Sequence, residues 1–165
     1  MPRNLYTKTK SAPLEDAGKS KLLNEHIPYR LELLRLGATS CPANDPRSSA
    51  IVEAGVVSAR LLLQFLGLTI ERKSGLHLVE KHEYFERPKG ITDEVKITDV
   101  GGSFVDPSKL SAEDKLCLAR FHEGASKACA RFTWDSGHEL DVETIHRASD
   151  LIAGLIQKHC PKSSE

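Results

Sequence analysis

Apolar residues return every three or four positions in four stretches of the chain, and each stretch predicts an amphipathic helix. In the first, Lys21 to Leu36, the repeat runs Leu23, Ile27, Leu31, Leu34. Pro28 falls inside it, and a proline removes an N–H and crowds the preceding turn, so this helix is expected to start near Ile27 or to kink there. Turn formers fill Gly37 to Ser49 and predict a loop, with Ser48 or Ser49 capping the next helix. That second helix, Ala50 to about Leu66, is the most apolar. Ile51, Val52, Val56, Val57, Leu61, Leu62, Leu63, Phe65 and Leu66 surround most of its circumference, the pattern of a helix enclosed in the middle of a domain. Its polar exceptions, Glu53, Arg60 and Gln64, fall within about 20–40° of one line at about 100° per residue and form a single stripe.

The third helix opens on Ser111-Ala-Glu-Asp114, a capping-box pattern with Asp in the last place, and runs from Ala112 to about Arg131. Cys117, Phe121, Gly124 and Ala128 make its apolar face, with Arg120, Glu123, Lys127 and Arg131 opposite. The small residues Gly124, Ala125, Ala128 and Ala130 permit a neighbour to approach closely. The fourth starts after Asp141, sets Val142, Ile145, Ser149, Ile152, Leu155 and Ile156 on one face, and stops before Pro161. Residues 68–110 differ in character. Short β-favouring runs, Leu68-Thr69-Ile70, His77-Leu78-Val79 and Val95-Lys96-Ile97-Thr98, alternate with Pro88-Lys89-Gly90 and Gly101-Gly102. The expected fold is therefore mainly α: a four-helix bundle-like single domain over 21–160, with an irregular or β-hairpin insertion at 68–110 between the second and third helices. A flexible arm (1–20) precedes it and a short tail (161–165) ends the chain.

Composition narrows the function. The 165 residues carry 23 Lys plus Arg against 23 Asp plus Glu, a formal net charge of zero, so no global positive field holds a polyanion. The run Ile51 to Ile70 approaches membrane-span length, but each charge at its centre costs about 2.5–3.5 kcal/mol of insertion energy against about 0.3–0.6 gained per Leu or Val. It is expected as a buried helix, with no membrane partner. Residues 1–20 hold no apolar signal-peptide core, which points to the cytoplasm. Cys41, Cys117, Cys129 and Cys160 form no C-x-x-C pair and are expected as free thiols.

Three sets of residues are candidates for chemistry. Glu53, Arg60 and Gln64 would line a binding site if the second helix is covered on that side, and are its solvated edge if not. His26, His122 and His146 fall on three predicted helices, and Glu143-Thr-Ile-His146 is one Glu-x-x-His unit; a dinuclear carboxylate site needs two, so neither metal nor cofactor is expected. The histidines are expected at the surface or its boundary. P-loop, dinucleotide and nucleophile-elbow motifs do not occur.

The third set is Arg131 and His138, six residues apart across the end of the third helix. This spacing resembles the Arg-x(4–6)-His signature of HEPN domains, helical bundles many of which are metal-independent ribonucleases of bacterial defence and toxin systems. Phe132 follows the arginine where that family usually has a polar residue. The resemblance implies that Arg131 stabilises charge developing on a phosphate, that His138 acts as acid or base, and that a dimer cleaves RNA. Two function classes result: a helical interaction module that self-associates or binds a protein partner, and, as the alternative, such a ribonuclease. An exposed apolar patch favours the first, a basic patch around Arg120, Lys127 and Arg131 the second.

Overall fold

A computed structural model describes residues 14–42, 44–73, 75–80, 95–128 and 140–161. The four expected helices are present, with a two-stranded hairpin between the second and third. The first is a continuous rod in three parts: α1 (Asp16–Lys21), one π-helical turn (Leu22–His26) and α2 (Ile27–Thr39). Pro28 accounts for the π turn. It offers no N–H to the carbonyl of Asn24, and the turn widens so that the Ile27 N–H bonds the Leu22 carbonyl, five residues back. The rod begins five residues before the expected Lys21, taking in part of the expected arm. Leu14, Leu22 and Leu23 pack against the core there, an anchorage that the polar residues around them conceal.

Helix α3 (Pro46–Phe65) also begins before its expected start. The Asp45 carboxylate accepts from the N–H groups of Arg47 (2.8 Å) and Ser48 (3.1 Å), and Ser48 Oγ accepts in return from the Asp45 N–H at 3.2 Å. Pro46 fits the first turn because its missing N–H would have had no partner there. The chain leaves α3 through Gly67, at φ +82, against which the Phe104 ring lies where a Cβ would stand. It then forms β1 (Leu68–Glu71) and β2 (His77–Glu80), antiparallel with Leu68 opposite Glu80 and Glu71 opposite His77.

Val95 to Thr98, expected as a β-favouring run, instead leads into a 3-10 turn, Ile97–Val100. Ile97 and Val100 stand three residues apart, which stacks them on one side of such a turn, and both are buried. This connector is stitched to the C-terminal ends of α3 and of the last helix: Val105 N–H donates to the Leu66 carbonyl and Ser103 N–H to that of His159, each at 3.2 Å.

Helices α4 (Ala112–Ala128) and α5 (Val142–His159) pack antiparallel, α5 also lying against α2 and α3. Phe121, Leu118, Leu63, Leu66 and Ile152 are fully enclosed at the centre. By length and mean hydropathy (1.2) α3 would suffice to cross a membrane, yet Ala59, Leu62 and Leu63 face this centre. Their burial accounts for part of its apolar character, 39% of that stretch being buried. The enclosure is nevertheless one-sided: Ile51, Val57 and Leu61, expected in the core, are exposed.

Asp141 caps α5, its carboxylate accepting from the Thr144 N–H and hydroxyl, both at 2.7 Å. The Thr144 hydrogen bonds hold its pKa below the ordinary carboxylate value, as Ser48 does for Asp45, and Ser111 and Arg147 do for Asp114. A carboxylate whose folded pKa lies below its unfolded one adds stability that is complete above the unfolded value and is lost as pH falls through the folded one. The contribution of these three carboxylates to the unfolding free energy is therefore expected to stay flat from about pH 7 to about pH 5 and to drop below about pH 4. Denaturant titrations across that range check this. Asp141→Asn, which keeps an acceptor but removes the titration, should make the acid limb shallower, and Asp141→Ala should cost about 1 kcal/mol at neutral pH.

Candidate functional site

The polar stripe of α3 is uneven in the folded protein. Glu53 is exposed, whereas Arg60 and Gln64 are half-buried, and Nε of Arg60 is enclosed with no hydrogen-bond partner among the described residues. The stripe is thus neither a fully solvated edge nor the lining of a closed pocket. Its arginine stem lies against protein, and its acid points to solvent.

A groove of about 570 Å³ runs between α2 and α5, floored by Leu31, Leu34 and Ala153 and edged by Glu32, Arg35 and His146. Arg35 donates to both oxygens of Glu32, at 2.7 and 3.1 Å. That bond holds the Glu32 carboxyl below its usual range, so one rim of the groove is a closed ion pair. His146 is exposed on the opposite rim and His26 is exposed before α2, whereas His122, expected at the surface, is buried. The apolar arc of α4 is wide enough to take in Leu118, Phe121 and His122 together, wider than the Cys117-Phe121-Gly124 line suggested. Among the described residues, no three His, Cys, Asp or Glu side chains gather where a metal ion would be held.

A second, polar cleft of about 320 Å³ lies between the starts of α4 and α5, with Cys117, Arg120, Asp141 and Arg147 around it. Arg147 donates to Glu113 (3.1 Å) and Asp114 (3.0 Å), a solvent-screened brace between two exposed helix ends. Cys117 is buried, and burial raises its pKa, as it does for Cys41 and Cys160. All three are free thiols held in their protonated, weakly nucleophilic form. Arg131, His138 and Cys129 lie outside the described residues. Of the basic set around them, Lys127 is paired with Glu123 at 3.4 Å and Arg120 is exposed. Two of the small residues of α4 are spent inside the chain: Leu140 packs where Gly124 lacks a side chain, and Ala125 is buried.

An exposed apolar face is the feature that residue-by-residue reading missed. Tyr29 (57% exposed) and Leu36 (40%) on α2, and Ile51 (40%), Val57 (40%) and Leu61 (42%) on α3, are most of the large apolar side chains left open among the described residues. They share one face because α2 and α3 meet backbone to backbone. A Cβ on Gly55 would stand 2.7 Å from the Gly37 Cα, a Cβ on Gly37 would stand 3.3 Å from the Ile51 carbonyl oxygen, and Arg30 Nη1 donates to Ser58 Oγ at 3.3 Å. The available signal was the spacing Ala50, Ala54, Val57, Leu61, steps of four, three and four that sit beside the polar stripe. No family model matches the chain, and neither a curated protein nor a solved structure matches it.

Proposed function

We propose that this protein is a helical interaction module that self-associates through the outer face of the α2–α3 pair. The observation that carries this is the cluster of Tyr29, Leu36, Ile51, Val57 and Leu61 on one face. Scattered exposed apolar residues need no explanation, but a contiguous set rimmed by Glu53, Arg60 and Gln64 is the composition of a contact surface. Each half-exposed Val or Leu still has about 1 kcal/mol of transfer energy to gain when covered.

Sedimentation equilibrium across the micromolar range tests the proposal. The wild-type chain is expected to dimerise, and Leu61→Glu, at a position open in the single chain, to abolish this while leaving the helical circular dichroism unchanged. A wild-type chain that stays monomeric overturns the proposal. RNA cleavage that disappears in His138→Ala while the fold persists would install the ribonuclease in its place.

A further inference from the structure

We infer that the partner is a second copy of this chain, docked antiparallel along α3 in the register that sets Ala54 against the partner's Val57 and Ala50 against the partner's Leu61. This rests on the self-association proposed above and specifies its geometry. The seam Arg47, Ala50, Ala54, Val57, Leu61, Gln64 steps by three and four residues along the open side of α3, the spacing by which two helices interlock. In a two-fold antiparallel pair, a residue and its opposite have numbers of constant sum. The register that pairs Ala54 with the partner's Val57 also pairs Ala50 with the partner's Leu61 and Arg47 with the partner's Gln64, so every small side chain meets a larger one. A parallel pair would set alanine on alanine and leave gaps that Val57 and Leu61 cannot fill.

Charge selects the same register. Glu53 and Arg60 occupy the flanking position next to the seam in successive heptads, and antiparallel helices bring such flanks together. Glu53 then faces the partner's Arg60, and two-fold symmetry makes the contact twice. Within one chain Glu53 is exposed, and the two side chains lie seven residues apart on the same stripe. The opposite flank, Ile51 and Ser58, is the side on which α2 packs, through Gly37 and Arg30. The antiparallel arrangement puts both copies of α2 on that side, where Leu36 and Tyr29 extend the contact.

Charge reversal within one gene tests the register. Glu53→Arg and Arg60→Glu should each weaken the dimer about tenfold, because each converts two attractive contacts into two repulsive ones. The double variant should return to near the wild-type dissociation constant, since every reversed side chain meets a reversed partner. In chains whose native cysteines are replaced by alanine, a mixture of Ala54→Cys and Val57→Cys should form the mixed disulfide faster than either chain links to itself. A dimer unaffected by the single reversals, not restored by the double, or cross-linked fastest by Ala54→Cys alone overturns the register and leaves self-association standing. A monomeric wild type removes both.

Discussion

Replacing Phe121 with alanine is expected to lower the unfolding free energy by about 3–5 kcal/mol, a large share of the roughly 5–15 kcal/mol that holds an ordinary domain. The ring is fully enclosed, and it borders a narrow interior crevice lined from α2, α3 and α5 by residues that include Leu34, Val56 and Ile145. Three helices would lose contacts to the same side chain, and none can move in to fill the space without leaving the others. Urea denaturation followed by circular dichroism gives the number: a lower midpoint with an unchanged slope is the expected form. A loss under about 1 kcal/mol would mean that Phe121 is not at the centre of the core.

The second large effect comes from the addition of one methyl group. Gly55→Ala is expected to destabilise by about 2–3 kcal/mol, although alanine favours a helix over glycine by about 1 kcal/mol. The new Cβ would stand 2.7 Å from the Gly37 Cα and 2.9 Å from the Leu33 carbonyl oxygen. Both are backbone atoms, which no rotamer change can withdraw, so α2 and α3 must separate. Gly154 in α5 is the internal control: nothing lies within 4 Å of its Cβ position, and Gly154→Ala should stabilise by about 0.5–1 kcal/mol from propensity alone. Thermal melts of the two variants should shift in opposite directions. Two shifts of the same sign would contradict the close backbone crossing.

The same crossing bears on function. With Gly37 and Gly55 in contact, α2 and α3 present their outer flanks as one surface, and Leu36 and Ile51 belong to it together. Gly55→Ala is therefore expected to weaken self-association as well as the fold, whereas Leu61→Glu should act on association alone. The pair of variants separates the surface from the crossing that shapes it.

Four helices and a hairpin were legible in the sequence because their signals are local. Apolar spacing marks the inner face of α4 and α5, Asp141 caps α5 through its own Thr144, and Leu68-Thr69-Ile70 and His77-Leu78-Val79 pair across a short turn. The early start of α3 was also written locally, in Asp45-Pro46, but proline serves a loop and a first helical turn equally well. Only the closed capping box decides between them.

The candidate surface was not legible in that way, because exposure is a property of neighbours. Ile51, Val57 and Leu61 are as apolar as Leu62 and Leu63, and composition gives no reason to divide them. The division comes from where α2, α4 and α5 land on α3, which depends on the glycine contact at 37 and 55 and on the packing around Phe121. Arg60 shows the same limit, since its place on a polar stripe follows from spacing while the enclosure of its Nε follows from tertiary packing. The sequence by itself thus determined which segments coil, where they are capped and that the chain is mainly helical, all of which rest on interactions spanning a few residues. The tertiary structure alone decided which apolar side chains the core consumes and which remain open to a partner, because burial depends on contacts between residues far apart in the chain.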